Sequence, residues 1–208
     1  LVFQDQDGLL DLPPPALPGP HQVGNAGMAI AILRSINDSR VSELHIAEGL
    51  RSVSWPARLQ RLRGGGLSSQ VPEAEVWLDG GHNADAGVVL AQALRALPPR
   101  PLVIIWGMLN TKDATQFFRP LAALAQHVLT LTIPGEPNAI PAGQLAATVQ
   151  SLGTPATAVD GLQQAVEWVA AHHPAARVLV CGSLYLAGHV LAAEEGRQMS
   201  AVTGAARR

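Results

Sequence analysis

Lysine is almost missing from this sequence. Of the 14 basic residues in 208, 13 are arginines, and Lys112 is the single lysine. A phosphate-binding P-loop needs Gly-Lys followed by Ser or Thr, whereas Lys112 sits between Thr111 and Asp113. The chain therefore carries no Walker A lysine. Charge of either sign is also scarce, at 14% of residues with a formal net charge of -2, against about 25% in an average globular domain. Scattered arginines at near-neutral charge make no basic stripe, which argues against a nucleic-acid partner. No apolar run approaches the roughly 18 residues of a membrane span, so a soluble protein with no membrane partner is expected. The lone Cys181 can form no internal disulfide and fits a reducing cytoplasm. There is no basic segment leading into an apolar stretch, hence no signal-peptide pattern. HExxH, CxxC, GxSxG and a strand-following GxGxxG are all absent, and no metal site is expected.

What is present is material for a core: 48% of residues are hydrophobic, which excludes a disordered chain. Gly (20) and Pro (16) punctuate the sequence. Residues 1–18 read as a short apolar piece, an acidic turn and a Pro-rich stretch. Leu1-Val2-Phe3 resembles the tail of a strand, and the chain reads as a fragment or a processed product. Val23, Met28, Ile30, Ile32, Leu33 and Ile36 have helical spacing, predicting a helix from His21 to Ile36, with a second from Val41 to Leu50. Trp55-Pro56, an arginine cluster (Arg58, Arg61, Arg63) and Gly64-Gly65-Gly66 follow.

Beyond them the pattern becomes a regular alternation. Strands are predicted at Glu75–Leu78, Leu102–Trp106, His127–Ile133, Thr157–Val159 and Arg177–Cys181. Helices are predicted from about Ala84, Ala114, Ala142, Leu162 and Leu184. Short unbroken Val/Ile/Leu runs suit strands buried on both faces of a parallel sheet. The expected fold is α/β: a Rossmann-like, mostly parallel sheet with helices on both faces. The expected organisation is an incomplete first piece over 1–52, a main domain over 53–195 and a flexible tail over 196–208.

In such sheets ligands collect at the carboxyl ends of the strands, and three ends carry unusual residues. Leu78-Asp79-Gly80-Gly81-His82-Asn83 places an aspartate at the strand end and a histidine beyond a glycine turn. Asp79 with His82 points to function, while Asn83 serves equally well as a helix N-cap. Trp106-Gly107-Met108-Leu109-Asn110-Thr111-Lys112-Asp113 carries the only lysine, with Asp113 as an N-cap. Cys181-Gly182-Ser183-Leu184-Tyr185 makes a strand-to-helix turn whose amides suit an anion. Ser183 reads equally as a simple cap, and Cys181 as a buried core thiol. His45, His127 and His189 are read as structural, His172-His173 as a helix C-cap, and Trp77, Trp106 and Trp168 as core.

Four of these segments, in order, resemble the folylpolyglutamate synthase/dihydrofolate synthase family of Mur ligases. They are Gly19-Pro20-His21-Gln22-Val23-Gly24-Asn25-Ala26, Trp55-Pro56-Ala57-Arg58-Leu59-Gln60, Leu78-Asp79-Gly80-Gly81-His82-Asn83 and Gly182-Ser183-Leu184-Tyr185-Leu186. The resemblance implies the end of a central ATP-binding domain followed by a C-terminal glutamate-ligase domain. It implies an ATP-dependent amide ligase that adds L-glutamate to dihydropteroate or a folylpolyglutamate through an acyl phosphate; a cytoplasmic monomer is the default expectation. Asn25 would contact the adenine side of ATP, Arg58 would reach the phosphates across the domain junction, and Asp79 would hold the nucleotide. His82 and Ser183 would position glutamate or stabilise the acyl-transfer centre, with Tyr185 in support; the loop carrying Lys112 matches a family feature without an assigned role. The ligands of Mg²⁺ would lie in an N-terminal part that this chain lacks, along with the P-loop, so the fragment alone is expected to be inactive. Gly81 also stands where alanine is commoner in the family. Two other readings compete: a non-catalytic Rossmann-like nucleotide-binding module, and, more distantly, a nicotinamide-dependent oxidoreductase.

Overall fold

The computed structural model describes residues 1–196. Apart from Gly196, the expected flexible tail lies outside the described residues. The chain divides into two compact units, Leu1–Leu59 and Gln60–Arg208.

In the first unit, β1 (Val2–Asp5) pairs antiparallel with β2 (Gly8–Asp11), and α1 (His21–Ile36) and α2 (Glu43–Ser52) follow. The hairpin differs from the single strand tail read in the sequence. Its two-residue turn places Gly8 at φ 122°, a region that favours glycine. Leu12, Ile30 and Ala47 form a small buried cluster against which Phe3, Leu10, Ile46 and Leu50 pack. The Arg34 guanidinium, in the last turn of α1, pairs with Asp5 at 2.6 Å and ties helix to hairpin. At the start of α2 the Ser42 hydroxyl accepts from the His45 amide while His45 Nδ1 accepts from the Ser42 amide. His45 is thus a capping residue, and this reciprocal pair starts the helix at residue 43 rather than 41.

The second unit contains β3 (Gln60–Leu62), β4 (Glu75–Leu78), α3 (Ala84–Ala96), β5 (Leu102–Trp106), α4 (Ala114–Ala122), β6 (His127–Thr130), α5 (Ala142–Ser151), β7 (Ala156–Ala158), α6 (Leu162–His172), β8 (Arg177–Cys181) and α7 (Leu184–Glu194). They build one six-stranded sheet in the order β3-β4-β8-β5-β6-β7, parallel except for the edge strand β3. β5 and β8 lie side by side in the middle with every residue buried. The connections from β4 through β7 all advance in one direction, and the return to β8 reverses it. Right-handed crossovers then put α3, α4 and α5 on one face and α6 on the other. Accordingly α4 packs between α3 and α5, while α6 lies against β5 and the short turn at Ser68–Gln70.

Two polar devices close the edges of the sheet opposite the strand carboxyl ends. Buried Arg177 donates Nε and Nη2 to one Glu75 oxygen at 2.9 and 2.8 Å and Nη1 to the Pro98 carbonyl at 3.0 Å. Arg61 approaches the other Glu75 oxygen at 3.4 Å and lies 5.3 Å over the Trp77 ring. Trp77 is therefore half-buried beneath a cation rather than a pure core residue. At the end of α7 the Glu194 carboxylate accepts from the amides of Gly65, Leu67 and Ser68 and from the Ser68 hydroxyl. A side chain at Gly65 would overlap that carboxylate.

Trp168 also departs from the core reading. Its ring is stacked between His127 and His172, each with centroids 4.4 Å away, and His173 lies at 5.4 Å. His172 Nδ1 donates to the Trp168 carbonyl at 2.9 Å and His173 is the C-cap of α6, as expected for a helix end. Trp106 is fully buried against Phe117 and Phe118.

Candidate functional site

The strand order decides which turns meet. Because β8 inserts between β4 and β5, the three turns at their carboxyl ends become neighbours. The Asp79 amide donates to the Val180 carbonyl at 3.0 Å, and the Gly182 amide donates to the Gly81 carbonyl at 3.1 Å. Gly182 sits at φ 108°, and a β-carbon there would come within 2.5 Å of the Trp106 ring and 2.6 Å of the Gly107 carbonyl. Only glycine lets the β8 turn lie this close over the end of β5.

Between the turns is a pocket of about 180 Å³ lined by His82, Leu109, Lys112, Ser183 and Tyr185, among others. It draws on all three strand ends. His82 Nδ1 lies 3.0 Å from the Gly80 carbonyl. A carbonyl only accepts, so Nδ1 carries the hydrogen, and in the neutral ring the lone pair falls on Nε2. Ser183 is buried and caps α7, its oxygen accepting from the Tyr185 amide at 3.1 Å. As an acceptor there, the hydroxyl keeps its own hydrogen to give. Tyr185 and Leu184 are exposed on the first turn of α7, at the positive end of the helix dipole.

Lys112 enters from the loop after β5. That loop is braced from behind: the Asn110 amide donates to the Asn138 carbonyl at 2.8 Å and the Ile140 amide to the Met108 carbonyl at 2.9 Å. Asn83 and Asp113 are N-caps, accepting from the amides of Ala86 and Gln116 at 2.9 Å each. Asp79 is a buried carboxylate whose Oδ1 accepts from the Gly81 amide at 2.7 Å and so shapes the turn that carries His82. Burial first, and the Asp79 charge second, push the Cys181 thiol well above its ordinary value. Cys181 is fully buried and is a core thiol, not a nucleophile.

The structure thus brings His82, Ser183 and Tyr185 together, with Asp79 supporting their floor, and adds Lys112 to the same wall. Asn25 and Arg58 belong to the first unit. Asn25 is exposed on α1, donates to Gln22 at 3.0 Å, and borders an apolar groove of about 330 Å³ between α1 and α2. Arg58 is half-buried and flanked by Ala57 at φ 54° and Leu59 at φ 44°. Two exceptions of this kind, one on each side of one arginine, store about 1–3 kcal/mol each. The sequence puts Lys112, His82 and Ser183 on three separate strand-end loops, and the strand order brings those loops together, with Lys112 lining the same pocket.

Comparison with known proteins agrees with this geometry. Residues 58–184 match the family described as Mur ligase, glutamate ligase domain. A folylpolyglutamate synthase from Lacticaseibacillus casei is 30% identical over 91% of this chain and 42% of its own length. A dihydrofolate synthetase from Saccharomyces cerevisiae is 27% identical over 88% of this chain and 46% of its own. Among solved structures, E. coli FolC in complex with DHPP and ADP is 30% identical with a TM-score of 0.75, covering 91% of this chain and 42% of that one. A bifunctional folylpolyglutamate synthase/dihydrofolate synthase with Mn, AMPPNP and L-glutamate bound is 25% identical over 91% of this chain and 43% of its own, with a TM-score of 0.75. The chain thus spans under half the length of these relatives. A sheet of this order, a site at its carboxyl edge and a family match over more than half the chain lead to one conclusion: the chain belongs to the Mur ligase family, in its glutamate ligase domain.

Proposed function

We propose that the chain is the glutamate-binding portion of an ATP-dependent ligase that joins L-glutamate to dihydropteroate or a folylpolyglutamate. The observation that carries this reading is the pocket shared by His82, Lys112, Ser183 and Tyr185. At about 180 Å³ it is below the roughly 300 Å³ typical of sites for larger ligands, and it suits an amino acid. The Lys112 ammonium and the first turn of α7 favour a carboxylate. His82 Nε2 is the lone pair available to an ammonium losing its proton.

In this reaction an acceptor carboxylate takes the γ-phosphoryl group of ATP, giving an acyl phosphate and ADP. The glutamate nitrogen then attacks the acyl carbon, the bond to phosphate oxygen breaks, inorganic phosphate leaves, and the nitrogen's surplus proton passes to a base. His82 and Ser183 hold glutamate and its transition state, with Tyr185 beside them. Asn25 contacts the adenine side of ATP, Arg58 the phosphates, and Asp79 supports nucleotide binding. The ligands of Mg²⁺ are expected in the part of the ligase outside this chain, and no step is assigned to the ion here. The remaining parts of the ligase supply the P-loop, and the whole acts as a cytoplasmic monomer. No described helix is long and apolar enough to cross a membrane.

The test is direct. L-Glutamate titrated into the ¹⁵N-labelled chain should shift the amides of His82, Gly182 and Leu184 saturably. Lys112→Ala should abolish those shifts, and D-glutamate should bind at least tenfold more weakly. Absence of saturable shifts at these amides would remove the pocket from the proposal.

A further inference from the structure

The segment Leu97-Pro98-Pro99-Arg100-Pro101 leads from α3 into β5 and carries three prolines, which fix the backbone and remove amide donors. It borders an open pocket of about 250 Å³ at the amino ends of β5 and β8, where Leu102 and Arg177 begin their strands. This pocket lies at the opposite end of the sheet from the His82–Ser183 pocket and shares no residue with it.

Three arginines and no acidic residue line it. Arg177 is 5% exposed, and a buried cation needs a counter-charge. Its partner Glu75 is shared with Arg61, so one carboxylate answers two guanidiniums. A guanidinium has five N–H bonds. Arg177 directs three of them to Glu75 and the Pro98 carbonyl, which leaves two unengaged. Arg100 donates one N–H to the Glu73 carbonyl at 3.1 Å, a neutral acceptor. Arg95 has no partner among the described residues. Its place in the last turn of α3 suits the helix dipole, and that accounts for one cation of the three. The rest of the wall is apolar, with Leu94 from α3, Leu102 from β5 and Leu124 just beyond α4. Inorganic anions make no use of such a wall, and a neutral ligand makes no use of the arginines.

We propose that this pocket binds a phosphate monoester with a small apolar body, the phosphate held by the arginines and the body by the leucines. Guanidinium forks match phosphate oxygens in pairs. A phosphate monoester carries about two negative charges at neutral pH, against one for a carboxylate. The pocket is smaller than the roughly 300 Å³ of sites for larger ligands, which limits the body to the size of a single ring.

The test is phenyl phosphate titrated into the ¹⁵N-labelled 208-residue chain. The amides of Leu97, Arg100, Leu102 and Arg177 should shift saturably. Inorganic phosphate, which lacks the ring, and benzoate, which lacks the second charge, should each bind there about fivefold more weakly or worse. Arg95→Gln with Arg100→Gln should weaken phenyl phosphate by about tenfold or more. Both positions are exposed, and unchanged circular dichroism of the double variant verifies its fold. Arg119→Gln, at an exposed position of α4 outside the pocket, should leave binding unaltered. No saturable shift, shifts confined to other amides, or an affinity indifferent to the double variant would each overturn the proposal. So would inorganic phosphate or benzoate binding as tightly as phenyl phosphate. The glutamate titration reads different amides, so failure of either pocket leaves the other standing.

Discussion

The amide of Gly182 donates to the carbonyl of Gly81 at 3.1 Å, joining two turns that are 101 residues apart in sequence. That bond closes the floor of the pocket, and Gly182 maintains it only by staying at φ 108° under the constraint of Trp106. Gly182→Ala would bring both backbone strain and a clash with a fully buried indole. The expected loss is about 3 kcal/mol of unfolding free energy, read by denaturant titration, together with loss of L-glutamate binding. An unchanged midpoint would show that the turn is not held as described.

Gly87 works by a different rule. It lies within α3 with ordinary helical backbone, and a β-carbon there would run into the Phe117 carbonyl of α4. Alanine should gain about 1 kcal/mol of helix propensity and lose more through separation of the two helices. The net expectation for Gly87→Ala is destabilisation of about 1–2 kcal/mol. Gly188→Ala in α7, where a β-carbon meets nothing within 4 Å, should instead stabilise by up to about 1 kcal/mol. Thermal midpoints moving in opposite directions would confirm both.

Glu75 couples the sheet edge to acid. Burial raises its pKa, but the hydrogen bond and charge of Arg177 and the charge of Arg61 outweigh that and hold it below the ordinary 4.5. A carboxyl depressed on folding contributes stability that is complete above the unfolded value and is lost as pH falls through the folded one. Unfolding free energy should therefore decline below about pH 4.5, and Glu75→Gln should lose stability at neutral pH while flattening that acid limb. An acid limb equally steep in the variant would assign it to other carboxyls.

His127 responds at milder pH. Burial, followed by the neighbouring His173 and His172, holds its pKa below the ordinary 6.5. The unfolded chain then binds the proton more readily, so stability is complete above about pH 6.5 and falls as pH drops through that region to the folded value. His127→Gln should make the stability of the second unit flatter between about pH 7.5 and 5.5, measured through thermal melts followed by tryptophan fluorescence.

Local pattern determined most of the elements. The unbroken runs Leu102–Trp106 and Arg177–Cys181 are strands with the predicted ends, because only a doubly covered strand buries every side chain. Asn83, Asp113 and Ser183 cap helices where their side chains invite it. Local pattern failed where segments were short or polar. β3, three residues among arginines, is a strand because Arg61 covers Trp77 and pairs with Glu75. The β1–β2 hairpin turns at Gln6-Asp7, just before Gly8, and its strands are only four residues each. Trp168 looked like core because periodicity reports burial, not which neighbours share it; its partners are three histidines from β6 and α6.

By itself, then, the sequence determined the helices, the buried strands of the parallel sheet, the caps and the residues worth suspecting, since each depends on neighbours within a few positions. The tertiary structure alone decided that β8 pairs between β4 and β5. Strand order is a contest among pairings far apart in the chain, settled by crossover handedness and by which apolar faces can be covered together. That choice turned three separate loops into one pocket and brought Lys112 to the side of His82 and Ser183.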